Sequence, residues 1–586
     1  MSRREWKNRV PARGLGAWWM RAAVLAAALT ATAACGRDGP LDPVSGRALP
    51  PDGPSQLLNP LCAGTGGTTH AGGSITTAVT WPASGSPHRV TATVTLASGS
   101  QLTLQPGTLV CFEPQTGLQS YGGRLVAQGT AAARIVLTAR DPALGWNGVS
   151  LNQAPSAASQ LKHATIEFTT RTSGGVYAYL HPVAIDSTII RQSGHGVTLW
   201  GRGSSFSRSR VDTTTNRNVP AVTLRDTTKF EQSVIRRAAG IGLLVEGAGI
   251  QILGGRIEGS GGIGISANQF SGIPWAIAPI RVVGGSSYPI ETSASMLRSL
   301  YPTSFWQDSL KGNARDTVLM RGGELRVTLP ARAGLPWHVT GSITAVVGGA
   351  LRAEPGARLV LDEGVGINAH SGGRVVLRGS AADPVVLTAD DPFVGWEGIT
   401  LDSASTTPSY VTNARVEHVA YGRTALVANA PHAVIVDSAV FRQNGRAVTL
   451  LSAGSQLSRS RVDTTLSSSG PAVELGADAV LASTLIRGSS GDGVVIHTAT
   501  VQVQSCEVRG SVGDGIVLSA ATPIPNCNLV SNGGVGVRNN TAGVAVVANN
   551  WWGDAAGPFG PNGDGLWGTA NYTPFLTAPY VLPYVP

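Results

Sequence analysis

GDGVVIHTATVQVQSCEVRGSVGDGIVLSAATPIPNCNLVSNGGVG, residues 491–536, carries one pattern twice over. Gly491-Asp492-Gly493 returns as Gly513-Asp514-Gly515, and Cys506-Glu507-Val508 returns as Cys527-Asn528-Leu529. The spacings are 22 and 21 residues. A small residue, any residue and an aliphatic place the first and third side chains on one face of a strand. The glycine-rich stretch between such strands reads as a turn. A unit this short cannot bury its apolar face alone, so it stacks on its copies.

The pattern runs far beyond this stretch. Upstream it reads Ala164/Ile166, Ser187/Ile189, Ser209/Val211, Ser233/Ile235 and Gly255/Ile257. Then come Ala414/Val416, Ser438/Val440, Ser460/Val462 and Ser483/Leu485. Gly-x-Gly-aliphatic turns begin at Gly194, Gly240, Gly262, Gly513 and Gly534. A helical period of 3.6 is absent. The expectation is an all-β, parallel β-helix solenoid, right-handed by the crossover rule.

A longer repeat overlies the short one. LVAQGTAAARIVLTARDPALGWNGVSL from Leu125 matches VVLRGSAADPVVLTADDPFVGWEGITL from Val375, and FSRSRVDTT at 206 matches LSRSRVDTT at 457. The body is therefore expected to be two tandem cassettes, 76–270 and 325–560. A connector with a possible short helix in SASMLRSLY would fill 271–324, and a capping tail would follow at 561–586.

Composition agrees with many strands and turns. There are 75 glycines among 586 residues, 42% of residues are hydrophobic and 13% are charged. The N-terminus reads as an export segment. Six basic residues precede or flank an apolar run, Ala22 to Ala34, too short to span a bilayer. Thr32-Ala33-Ala34-Cys35 resembles the lipobox of bacterial lipoproteins, which implies cleavage after residue 34 and lipidation of Cys35. Residues 35–75, rich in proline and glycine, read as a flexible tether. Loss of residues 1–34 removes six positive charges and one negative, so the net charge falls from +9 to +4. No nucleic-acid partner is expected from that charge, and a monomer is expected.

The body resembles the right-handed parallel β-helix, or pectate-lyase-like, superfamily of bacterial secreted proteins. The resemblance rests on PGTLVCFEPQTGLQSYGGRLVAQGT, GWNGV, GWEGI and NNWWGDAAGP, and covers most of residues 80–580. It implies a fold and no single activity, because the same fold serves lyases, hydrolases, adhesins and inert scaffolds.

Candidate sites are few. Asp492 and Asp514 occupy the same turn of consecutive coils, about 5 Å apart by strand spacing. That separation suits a retaining pair of acids or a bound calcium. Arg210, Arg256, Arg415 and Arg461 share the outward face with Asp212, Glu258, Glu417 and Asp463, a strip that suits an acidic polysaccharide or a set of ion pairs. Ser193-Gly194-His195-Gly196 is similar to the GHG motif of polygalacturonases, without the rest of that pattern, and His195 is read as a turn residue. Trp551 aligns with Leu529 and is expected to plug the open solenoid end, with Trp552 pointing away. Trp146 and Trp396 are read as packing residues. Cys506 and Cys527 are expected to stack unbridged, because parallel Cβ atoms about 4.8 Å apart exceed disulfide range. Cys62 and Cys111 suit a bond in an oxidising compartment. No cofactor is expected, calcium excepted. These features lead to a surface-anchored scaffold or adhesin holding glycans or other surfaces without catalysis. The alternative is a polysaccharide lyase or glycosidase with Asp492 and Asp514 as its acids.

Overall fold

In a computed structural model, the strands wind as a parallel β-solenoid with three short strands per coil. It describes residues 58–583 except 171, 173, 268–275, 278–279, 296–309, 327, 332–335, 403–404, 406 and 430. The export segment, Cys35, most of the tether and most of SASMLRSLY lie outside the described residues.

One coil shows the plan. Ile135–Ala139, Val149–Asn152 and Ser159–Lys162 lie on its three sides. Each strand pairs in parallel with its counterpart one coil on: Ala164–Glu167, Gly174–Tyr179 and Val183–Asp186. Between the last strand of a coil and the first of the next sits a single residue with positive φ. Examples are His163 (47°), Ser187 (50°), Arg208 (47°), Ser438 (52°) and Asn549 (60°), and Ser483 (48°) makes the same corner within the unbroken strand Val480–Arg487. The residue after it is buried and small. In several coils it carries a hydroxyl whose oxygen accepts a backbone N–H from the preceding coil: Thr188 N–H to Ser209 Oγ (3.0 Å), Ser209 N–H to Ser233 Oγ (3.0 Å) and Ala439 N–H to Ser460 Oγ (3.1 Å). The recurrent serines thus satisfy backbone groups that the sharp corner takes out of the sheet.

This corner corrects three expected rungs. Thr188/Ile190, Ala439/Phe441 and Thr484/Ile486 point inward, each one residue beyond the expected pair. The positive-φ residue turns the chain before the strand begins, and a one-residue slip reverses every side chain.

The same slip decides the tryptophans. Trp551 bridges Asn528, not Leu529, and is only half-buried. Asn550 takes the corner position, its Oδ1 accepting the Cys527 N–H at 2.7 Å. Trp552 is fully buried and joins the core. Trp552, not Trp551, is the plug. Trp146 and Trp396 are also fully buried, each indole N–H donating to a carbonyl one coil on, Glu167 (2.8 Å) and Glu417 (2.9 Å).

The boundaries also move. Thr68–His70 and Gly73–Ile75, inside the expected tether, pair with His88–Val90 and Val94–Leu96 as the first coil. Leu566–Trp567, in the expected aperiodic tail, adds one more rung to Val537–Asn539. Beyond it the chain returns over the last coil, where the Leu576 N–H reaches the Asn550 carbonyl at 2.9 Å.

The cysteines differ from expectation as well. Cys506 and Cys527 are disulfide-bonded, with Cα atoms 4.4 Å apart. Both follow a positive-φ corner, Ser505 and Asn526, and the coils there approach more closely than a regular ladder. Cys62 and Cys111 form a second bond across 6.0 Å and tie the residues before the first coil to its successors.

Sheet pairing continues through the stretch read as a connector, with a change of face. Ile290–Thr292 pairs on one side with Ile265–Ala267 and on the other with Val318–Met320. Val318–Met320 pairs next with Trp337–Val339, which leads into Arg358–Leu361 and Val385–Ala389. The sheet that carries Val149–Asn152 upstream therefore carries the counterparts of Ile135–Ala139 downstream. The longer repeat restarts one face further round.

Candidate functional site

The turn aspartates come together, but as backbone acceptors. Asp492 Oδ1 accepts the N–H of Asp514 at 2.8 Å, and Asp514 Oδ1 accepts the N–H of Val535 at 2.8 Å. A Cβ at Gly513 would sit 2.3 Å from Asp492 Oδ1, so the glycine makes room for this contact. Arg538 closes an ion pair on the Asp514 carboxylate. Burial pushes the Asp514 carboxyl up; the Arg538 hydrogen bond, the Val535 N–H and the Arg538 charge together outweigh it and hold the group below its ordinary range. One oxygen of each carboxylate is therefore engaged by a backbone N–H of the next coil.

The same device recurs without having been legible. Asn532 Oδ1 accepts the Ser511 N–H at 3.0 Å, and Asp564 Oδ1 accepts the Asn532 N–H at 2.8 Å. Burial raises the Asp564 carboxyl, partly offset by the Asn532 hydrogen bonds.

Three of the four arginines of the strip are committed within the molecule. Arg210 meets Asp212 at 3.7 Å, Arg461 meets Asp463 at 2.6 Å, and Arg256 contacts Glu258. The acids take second partners from neighbouring coils: Arg237 on Asp212 (2.6 Å), Arg236 on Glu258 (2.8 Å) and Arg487 on Asp463. Arg415 is exposed. Such half-exposed pairs each contribute little, and together they neutralise the strip.

His195 is not in a turn. It opens the strand His195–Leu199 and is 9% exposed, with no partner for Nδ1. Its ring lies over Gly174, where a Cβ would stand 2.2 Å from Cε1. Burial lowers the imidazole pKa.

One opening that suits a ligand lies on the second half of the chain. A groove of about 430 Å³ is lined by Ser342, Asn368, Glu397, Thr400, Arg423 and Arg446, with Gly364, Gly366, Gly398 and Gly422 among them. Asn368 and Thr400 are neighbours on successive outward rungs. Ser342 Oγ accepts the Gly366 N–H at 3.0 Å, and Arg423 pairs with Glu397 at 2.9 Å. Arg446, at the position His195 occupies in the first half, keeps a buried Nε with no partner. Hydroxyl, amide, carboxylate and guanidinium groups among glycines suit a polar, hydroxyl-rich ligand. Glu397 in GWEG against Asn147 in GWNG was the visible hint, but it means nothing until the faces of successive coils are known.

Residues 397–551 match the family model described as the right handed beta helix region. Among curated proteins, none matches the chain. Among the described residues no helix is long and apolar enough to cross a membrane.

Proposed function

From the premise that this chain is a right-handed β-helix protein, we propose that it is an exported scaffold or adhesin, lipid-anchored through Cys35 at the bacterial cell envelope, that binds glycans without cleaving them. The observation that carries this reading is the groove around Arg446. Its lining is mostly polar side chains and glycines, with the Arg446 and Arg423 guanidinium groups among them. Such a lining suits the hydroxyl and carboxylate groups of a glycan. The acids of the lyase or glycosidase reading point the other way, since both turn aspartates already hold backbone N–H groups.

The test uses the compact unit that begins at Leu57. It is incubated with pectate, alginate, chondroitin and xylan, with and without calcium, and new reducing ends and unsaturated products are followed. The same protein and its Arg446→Ala variant go to a glycan array. Binding that Arg446→Ala abolishes, with no cleavage, is the expected result. Cleavage of any polymer would replace the scaffold reading with the enzymatic one.

A further inference from the structure

Where the two halves of the chain meet, His338, Asp362 and Asp390 bring one ligand atom each within 4.8 Å of one another. They come from three successive coils of one sheet. His338 lies in Trp337–Val339, while Asp362 and Asp390 directly follow Arg358–Leu361 and Val385–Ala389. His338 Nε2 lies 2.5 Å from Asp362 Oδ1 and 3.9 Å from Asp390 Oδ1.

The first half of the chain shows what this place holds otherwise. The residues aligned with Asp362 and Asp390 are Glu113 and Arg140, which form an ion pair. His338 aligns with Arg89. In the second half both arginines are gone. One is an aspartate, so two carboxylates face each other without the guanidinium that neutralises the earlier copy. The other is a histidine, whose imidazole nitrogen is a metal ligand.

The far side of the imidazole is fixed as metal sites require. His338 is 7% exposed, and its Nδ1 contacts the Tyr288 hydroxyl, which also accepts a hydrogen bond from Arg315. The Arg315 guanidinium lies 5.1 Å from the centre of the Tyr288 ring. With Nδ1 turned to that phenol oxygen, Nε2 faces the two aspartates, and a bound ion would take the place of the proton shared between Nε2 and Asp362. A metal-bound histidine typically has such an outer partner.

We propose that His338, Asp362 and Asp390 bind one divalent transition-metal ion of the zinc or manganese class. One imidazole and two carboxylates form a nitrogen–oxygen set for such an ion and leave positions open for water or an external ligand. All three ligands come from the coils after the change of face, and the contact of Tyr288 with His338 joins the site to the last coils before it. The inference is independent of the glycan groove.

The full-length chain, stripped with a chelator and freed of it, is titrated with Zn2+, Mn2+ and Ca2+ in a calorimeter. Co2+ is added separately, and its visible absorption reports nitrogen ligation. One Zn2+ or Mn2+ per chain is expected, with Ca2+ at least tenfold weaker. Affinity should fall at least tenfold in His338→Gln and in Asp390→Arg. The second variant restores the arginine of the earlier copy and is the one best suited to fold. His497→Gln, remote from the cluster, should leave binding unchanged. Thermal melts confirm folding of each variant. Absence of binding overturns the proposal. So does binding that both variants retain, or a Co2+ spectrum indifferent to His338→Gln.

Discussion

Asp492 and Asp514 stand one coil apart, and the first holds the second by its backbone: Asp492 Oδ1 accepts the Asp514 N–H at 2.8 Å. Asp514 passes the same contact on to Val535 and adds Arg538. The pair that looks most like chemistry in the sequence works as a clamp between coils.

The Asp514 carboxyl titrates below its ordinary range in the folded chain. Its stabilisation is therefore complete above the unfolded value, about pH 3.9, and is lost as pH falls through the folded value. Asp514→Asn should cost about 1–3 kcal/mol at pH 7, the loss of a charge-assisted hydrogen bond. It should also flatten the acid limb of the stability profile. Denaturant titrations from pH 7 to pH 2.5 check both; an unchanged acid limb would remove Asp514 from that role.

His195 has the opposite chemistry and a similar pH direction. Burial lowers its pKa, as it does that of His181. The neutral imidazole is thus favoured in the fold, and stability present above about pH 6.5 drains away as pH falls towards the folded value. His195→Gln should shrink the loss of unfolding free energy between pH 7.5 and pH 5.5. An equal loss in the variant would sink the assignment.

Trp552 fills the last coil, and Trp551 does not. Trp552→Ala is expected to cost about 3–5 kcal/mol, the range for emptying a buried aromatic site. Trp551→Ala should cost less than half as much. Equal denaturant midpoints for the two variants would contradict the register.

The two disulfides close loops with sequence separations of 21 and 49 residues. On loop entropy alone, Cys506→Ser with Cys527→Ser costs about 3 kcal/mol, and Cys62→Ser with Cys111→Ser about 4 kcal/mol. Thiol labelling of the denatured, unreduced chain should leave all four cysteines unmodified. Labelling of Cys506 and Cys527 would restore the unbridged stack.

The sequence by itself determined the architecture: a coil of 21 to 24 residues, parallel strands, an interior of small and aliphatic residues, and a long repeat at 250 or 251. Those features are periodic, and stacking identical units makes each contact local to its neighbour. Only the tertiary structure decided register. Ser187, Ser438, Ser483 and Asn549 take positive φ at the corners, and each shifts the following strand by one residue, which moved the plug from Trp551 to Trp552. A period-two pattern with small residues on both sides of a corner does not reveal which of them turns the chain. The structure also decided what the polar residues meet. Asp514 finds Val535 and Arg538, Arg446 finds no acceptor for Nε, and His338 finds Asp362 and Asp390, all from coils 21 or more residues apart. The change of face between Ile290–Thr292 and Trp337–Val339 sets which coils meet there. Pairings across coils depend on where each strand begins to the nearest residue, and a single sequence specifies the period far more tightly than the phase.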